Sequence, residues 1–355
     1  MLTILPQFAR HHVSLLYIAG AIALGCSISV QLASVESQVA PRYKYFRAGS
    51  PKDVETTTQA GFALMGGGTD LDEAFRWMCN RANGGDFLVL RATGDNDYNP
   101  YIKPLCKLNS VATLILPNRE AANDPFVAET IAHAEAIIIA GGDQANYVRF
   151  WMGTPVQAGI NAAIQRGVPV GGTSAGLAVM GEWVYSAEGD VPDAPNLDSK
   201  MALANPMGRR VPLVHEFLEI PVLREIITDT HFAKRDRMGR LLVFLFRLNE
   251  PDGKEIPPPS FKIRGIGVEQ GAAVLIEPDG AATVVGNGSG YFVLQTRGAF
   301  VQKAGDPLTG LNVIVQKVLP GHKFNLQSWK GDAIEYELSI QGRMIRSTQP
   351  GNAIY

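Results

Sequence analysis

The sequence predicts an α/β fold, a mostly parallel sheet with helices on both faces, followed by a β-rich C-terminal extension. Three observations carry this. From residue 60 to about 260, short continuous apolar runs alternate with stretches of helical period, and unbroken apolar strands are those covered on both faces, as in parallel sheets. Glycines cluster where several of those runs end. After residue 262 the alternation gives way to short strands separated by Gly, Pro and Asp turns. The whole chain fits a large core: 355 residues, 46% hydrophobic and 19% charged. Lys+Arg is 32 against Asp+Glu 34, a formal net charge of −2, which gives no electrostatic case for nucleic acid or an anionic membrane surface. Gly 37 and Pro 22 occur without a repeat period, and beside a normal apolar content they indicate tight turns rather than disorder.

Residues 1–12 contain Arg10, His11 and His12 and no acid, and an apolar stretch runs from Val13 to Cys26. This reads as a signal peptide or a membrane or lipid anchor over 1–40. Ala23-Leu24-Gly25-Cys26 matches a bacterial lipobox in part. The expectation is export to a periplasmic or extracellular compartment, with N-terminal membrane association left open. Residues 41–59 are polar and read as a linker, 60–290 as the main α/β domain, and 291–355 as the β-rich extension. Strands are expected at 61–65, 87–90, 110–116, 136–140 and 168–170, and helices at 70–80, 127–134, 145–151 and 154–165. Beyond the N-terminal segment, Cys79 and Cys106 are the only thiols. In an oxidising compartment they either pair or stay as two buried thiols, and their spacing matches no zinc-ligand pattern.

The most informative stretch is 171–181, GGTSAGLAVMG. Gly172-x-Ser174-x-Gly176 is a G-x-S-x-G elbow with a strand before it and a helix expected after it. A sharp turn there lifts the Ser174 hydroxyl above the sheet, and glycines on both sides let strand and helix approach. Such a serine needs a base. Of six histidines, His231 stands out in Asp229-Thr-His-Phe-Ala-Lys-Arg-Asp-Arg-Met-Gly-Arg240. The apolar stripe of Met238, Leu241, Leu242 and Leu245 puts His231 near a helix start, where the helix dipole disfavours imidazolium. Arg235, Arg237 and Arg240 suit a carboxylate. For the orienting acid the reading prefers Asp190, with Glu188 as alternative, both in the polar loop beyond the elbow. Gly141-Gly142-Asp143-Gln144 ends the neighbouring strand. Backbone N–H groups at Gly142 and Ala175 are candidate oxyanion donors, Gln144 a candidate substrate contact, and Asp143 either belongs to the site or caps the helix that follows.

These motifs together resemble the cyanophycinase and peptidase E (aspartyl dipeptidase) family of serine peptidases. The resemblance rests on the Gly141-Gly-Asp-Gln144 turn, the Gly-Gly-Thr-Ser-Ala-Gly elbow with Val179-Met180-Gly181, and the Asp229-x-His-Phe-x-x-Arg-x-Arg-Met-x-Arg-Leu-Leu242 segment. It covers roughly residues 60–290 and looks nearer to the cyanophycinase branch. It implies a fold like the class I glutamine-amidotransferase domain, a Ser-His-acid triad, no metal and no cofactor. It also implies cleavage of peptides next to aspartyl residues, cyanophycin-like or β-aspartyl, with Gln144, Arg235, Arg237 and Arg240 as substrate contacts. Thr230 stands where relatives often carry Gln. Self-association as a homodimer stays open. The competing readings are an esterase-like serine hydrolase and a non-catalytic exported binding protein of the same fold. A dinucleotide site on Gly66-Gly-Gly68 is disfavoured by its spacing.

Overall fold

The structure, a computed structural model, describes residues 42–190, 195–250, 261–303 and 305–355. The expected targeting segment lies outside the described residues. Two sheets form the body of the protein, and the first has ten strands. Its centre is five parallel strands in the order Ser110–Ile115, Asp86–Arg91, Ala136–Ile139, Val170–Thr173 and Phe62–Met65. All four residues of three of these, including Phe62–Met65, are buried, as the unbroken apolar runs required. Alternate side chains serve opposite faces. Ala63, Met65, Phe87, Val89 and Ile138 pack with Phe75 and Met78 of helix Asp72–Ala82. Leu64, Leu88, Leu90, Ile137 and Ile139 pack with the helices Pro125–Ala132, Gln144–Trp151 and Pro155–Gln165.

The remaining strands depart from the expected pattern. Lys44–Gly49, inside the stretch read as linker, pairs antiparallel with Ser110–Ile115 and closes one edge. Its half-exposed pattern is that of a covered edge strand, which hides its strand character in a polar composition. On the other edge Ala272–Ile276, Ala281–Gly286, Lys323–Asn325 and Lys330–Gly331 add antiparallel. The second sheet has eight strands, and only Trp183–Tyr185, Ile226–Asp229 and Arg264–Val268 run parallel to one another. A mostly parallel sheet therefore describes the centre of the first sheet alone. The short turns after residue 264 can join only antiparallel neighbours, whereas parallel pairing needs long crossovers. The boundary expected at 290/291 falls at the start of Gly290–Arg297, which pairs with Arg264–Val268. Pro41–Tyr355 forms one compact unit, so the β-rich C-terminal part extends the sheets of the main body. Among the described residues no helix is long and apolar enough to cross a membrane.

Cys79, on helix Asp72–Ala82, is disulfide-bonded to Cys106 across a separation of 27 residues. A loop of that size restricts the unfolded chain by about 3 kcal/mol. The Cys79→Ala/Cys106→Ala variant is accordingly expected to unfold at lower denaturant, with an m-value no smaller than wild type because the released loop expands the unfolded chain, and no loss of stability in urea titration would contradict this.

Candidate active site

Four strand ends converge at one point. Val170–Thr173 runs into Ser174, and Phe62–Met65 into Gly66-Gly67. In the second sheet Ile226–Asp229 leads to His231, and its parallel neighbour Arg264–Val268 leads to Gln270. Carboxyl ends of parallel strands from both sheets thus supply every central group, the place where open α/β sheets build their sites.

Ser174 has φ +53° and ψ −117°, a strained conformation for a non-glycine residue. The turn holds because nothing larger than glycine fits beside it. A Cβ on Gly172 would lie 2.3 Å from the Gly176 carbonyl oxygen, and one on Gly176 would lie 1.9 Å from that of Ile139. The helix that follows is a single turn, Ala175–Ala178. The Ser174 N–H donates to the Met65 carbonyl at 3.0 Å, while the Ala175 N–H opens the helix without an intrahelical acceptor.

Ser174 Oγ lies 2.7 Å from His231 Nε2. His231 is buried at 5% exposure and has φ +46°, held by its N–H donating to the Gly66 carbonyl at 2.8 Å. The helix expected just behind it begins only at Met238, seven residues further on, so it is not the start of that helix that keeps the imidazole neutral. Another cause keeps the ring neutral. Burial, then the positive charges of Arg235 and Arg237, push its pKa down to about 4, against an opposing contribution from Asp229.

Neither sequence-preferred acid reaches the ring. Asp190 Oδ1 accepts from Arg210 Nε at 2.8 Å, and its Oδ2 lies 3.4 Å from the Tyr185 hydroxyl. Glu188 remains in that loop, its backbone N–H 3.5 Å from Ser186 Oγ. Arg210 holds the Asp190 carboxylate, and among the described residues neither carboxylate makes a hydrogen bond or ion pair to His231. The Nδ1 partner is instead the side-chain amide of Gln270, at 2.6 Å. The atom placed there is the amide nitrogen Nε2; for the ring Nε2 to accept from the Ser174 hydroxyl, Nδ1 must carry the hydrogen, and the amide is then assigned in the flipped orientation, with Oε1 accepting from Nδ1–H. The neighbouring carboxylate, Glu269, is taken by the Tyr291 hydroxyl at 2.6 Å and the Ser289 N–H at 2.7 Å. Chain order is therefore serine, histidine, amide, with the third group 39 residues beyond the histidine. Nothing in the sequence marked Gln270, since an amide does not titrate and no motif surrounds it.

A cavity of about 440 Å³ opens over Ser174 and His231. Gly142, Asp143, Gln144 and Ala175 line it, as do Arg235, Arg237 and Arg240. Asp143 is the cap of helix Gln144–Trp151, its carboxylate accepting from the Ala145 N–H at 3.0 Å. Gly142, at φ +155°, sits in a turn held by the Tyr147 hydroxyl, which donates to the Ala140 carbonyl at 2.8 Å. The arginines divide. Arg240 is 2% exposed and bound to Asp229, Nε to Oδ2 at 2.7 Å and Nη2 to Oδ1 at 2.5 Å. Arg237 donates from Nη1 to Thr230 at 2.9 Å and keeps a buried Nε without a partner. Burial, then Arg240, push its pKa down to about 9. Arg235 is exposed. Arg149, from helix Gln144–Trp151, joins the lining and was not anticipated.

Residues 70–207 match the profile of Peptidase family S51. The chain is 28% identical over 221 residues to a cyanophycinase of Trichormus variabilis, a match covering 61% of this chain and 65% of that protein. A cyanophycinase of Geminocystis herdmanii is 29% identical over 175 residues, covering 48% and 54%. The chain thus matches just under two thirds of the first relative's length and about half of the second's. Among solved structures, a peptidase from an acI-B1 actinobacterium aligns with a TM-score of 0.48 at 17% identity, over 76% of this chain and 98% of that one. The chain is thus similar to Peptidase family S51 over residues 70–207 and, at 28–29% identity, to the cyanophycinases.

Proposed function

We propose that the protein is an exported serine-type peptidase that hydrolyses aspartyl or β-aspartyl peptides through an acyl-enzyme. The observation that carries the reading is the 2.7 Å contact between Ser174 Oγ and His231 Nε2 at a strained elbow. Nε2 takes the Ser174 proton as Oγ attacks the carbonyl carbon. The Ala175 N–H, with backbone at Gly142, stabilises the oxyanion. As the C–N bond breaks, Nε2–H returns its proton to the leaving amine. Water then attacks the ester, again deprotonated by His231, and releases the acid and the free serine. The arginine-lined cavity supports a substrate that brings a carboxylate. The Cys79–Cys106 disulfide and the N-terminal apolar segment support an oxidising compartment. The same reading takes the five parallel strands as a class I glutamine-amidotransferase-like core.

The test is labelling by a fluorophosphonate probe, followed by product analysis on cyanophycin and on aspartyl and β-aspartyl dipeptides. Labelling at Ser174 and release of aspartyl-bearing products are expected. Hydrolysis that persists unchanged in Ser174→Ala would overturn the reading.

The His231 pKa makes a second expectation. Labelling of the free enzyme should lose rate only as pH falls through about 4, since above that value the base is neutral. The folded value lies below the ordinary 6.5. Between the two values the unfolded chain takes up a proton that the folded site refuses. The His231 contribution to stability is therefore complete above about 6.5 and is lost as pH falls to about 4. A labelling profile with its midpoint near 6.5 would contradict this.

A further inference from the structure

When His231 accepts the Ser174 proton, the imidazolium meets a neutral amide at Nδ1, where a carboxylate would stabilise the positive charge. Among the described residues it forms no ion pair with any carboxylate. The charged groups around it are accounted for element by element. On its own segment stand Arg235 and a cluster in which one carboxylate, Asp229, is shared by two guanidinium groups, Arg240 at 2.5 Å and Arg237 at 3.6 Å. On the turn that carries Gln270, Glu269 is bonded to Tyr291 and Ser289. Across the cavity are Arg149 and the cap Asp143 on one helix, and Asp190 paired to Arg210 on the loop. Every carboxylate in this set is already bonded to a donor. Arg235 and Arg149 have no ion-pair partner among the described residues, and the Arg237 Nε is buried and unpartnered. The cavity therefore holds a charge deficit on the side of the base.

We propose that an anionic substrate completes the base: a carboxylate of the substrate, seated between Arg235 and Arg237, supplies the negative charge that Gln270 lacks. This deepens the peptidase reading and rests on it. The free enzyme then holds a weak base, and a ligand that neutralises the arginines strengthens it. Selectivity for acidic substrates arises in the chemical step as well as in binding. A neutral isostere that occupies the cavity leaves the imidazolium facing Arg235, which has no ion-pair partner among the described residues, and Arg237, which shares the single carboxylate of Asp229 with Arg240, and its kcat falls along with its affinity. Gln270 is a positioning residue in this scheme, since it acts through the tautomer of His231.

The experiment is a titration of His231 by NMR in the full protein labelled at histidine Cε1, with the signal assigned by its loss in His231→Asn. Succinate is the anionic probe and succinamide its neutral counterpart. The His231 midpoint is expected to rise by roughly one unit or more with saturating succinate, and to stay in place with succinamide. Gln270→Glu should raise the midpoint of the free protein and shrink the succinate response, and Arg235→Gln should also shrink it. A midpoint unmoved by succinate overturns the proposal, whether succinate binds or not, and so does an equal response to succinamide. The titration needs no hydrolysis. Failure of the peptidase reading would appear separately, as absence of Ser174 labelling.

Discussion

Ser174→Ala is expected to lower peptide hydrolysis by about 10⁴- to 10⁶-fold while leaving the fold intact. The size follows from the loss of the only atom that bonds to the substrate, with the oxyanion donors and the cavity retained. Ser174→Gly should be equally inactive, and yet more stable than Ser174→Ala. Alanine inherits the φ of +53° and ψ of −117° that the elbow imposes, whereas glycine adopts that region freely. Strain at such a position is worth about 1–3 kcal/mol, partly offset by the extra freedom glycine gives the unfolded chain. Urea titration of the two inactive variants measures the difference. Equal stability would mean that the elbow stores no strain, and residual turnover near the wild-type rate would remove Ser174 from the chemistry.

The elbow was legible because its requirements are local. Close backbone approach at Gly172 and Gly176 forces two glycines at fixed offsets, and a fixed offset is what a sequence displays. His231 was legible for a similar reason, embedded in a segment whose arginines and apolar stripe all serve one stretch of chain. Gln270 was not. It reaches Nδ1 only because Arg264–Val268 lies parallel to Ile226–Asp229, with Gly267 opposite Asp229, and strand pairing across that distance leaves no local trace. Its neighbour Gly267 would put a Cβ 2.6 Å from the Phe232 ring, so the register is fixed by a contact that no spacing rule encodes. Gly66-Gly67, part of the Gly66-Gly-Gly68 stretch that its spacing disfavoured as a dinucleotide site, joins the sheets: the Gly66 N–H donates to the Ala272 carbonyl and its carbonyl accepts from the His231 N–H. A Cβ on Gly67 would lie 2.5 Å from His231 Cε1 and 2.9 Å from Ser174 Cβ. Asp190 and Glu188 were reasonable by chain order alone, but order does not say which way a loop folds. The helix-terminus account of the neutral imidazole failed because residues 231–237 make turns before the helix begins at Met238.

The three arginines that read alike in sequence separate in the structure, and this sets the largest stability effect. Asp229 is 1% exposed and accepts from Arg240 through both oxygens, with the Thr230 N–H also donating to Oδ1 at 2.7 Å. Arg240 further donates from Nη1 to the Leu197 carbonyl at 3.1 Å and lies 4.9 Å from the Tyr185 ring centroid. Removing one partner of such a pair leaves the other charge buried and uncompensated, at a cost of about 3–5 kcal/mol. Asp229→Asn is therefore expected to lose that much, which urea titration measures. The double variant Asp229→Asn/Arg240→Gln should recover part of it, because the stranded cation is gone. If the double variant is as unstable as the sum of the two single ones, the pair is not coupled and its burial has another explanation. The same change should reach the chemistry. Asp229 ends the strand that delivers His231 two residues later, so a displaced Asp229–Arg240 pair loosens the base while Ser174, on the other sheet, keeps its place. Asp229→Asn should therefore slow fluorophosphonate labelling at every pH, whereas Arg235→Gln, on an exposed side chain, should leave stability within about 0.5 kcal/mol of wild type.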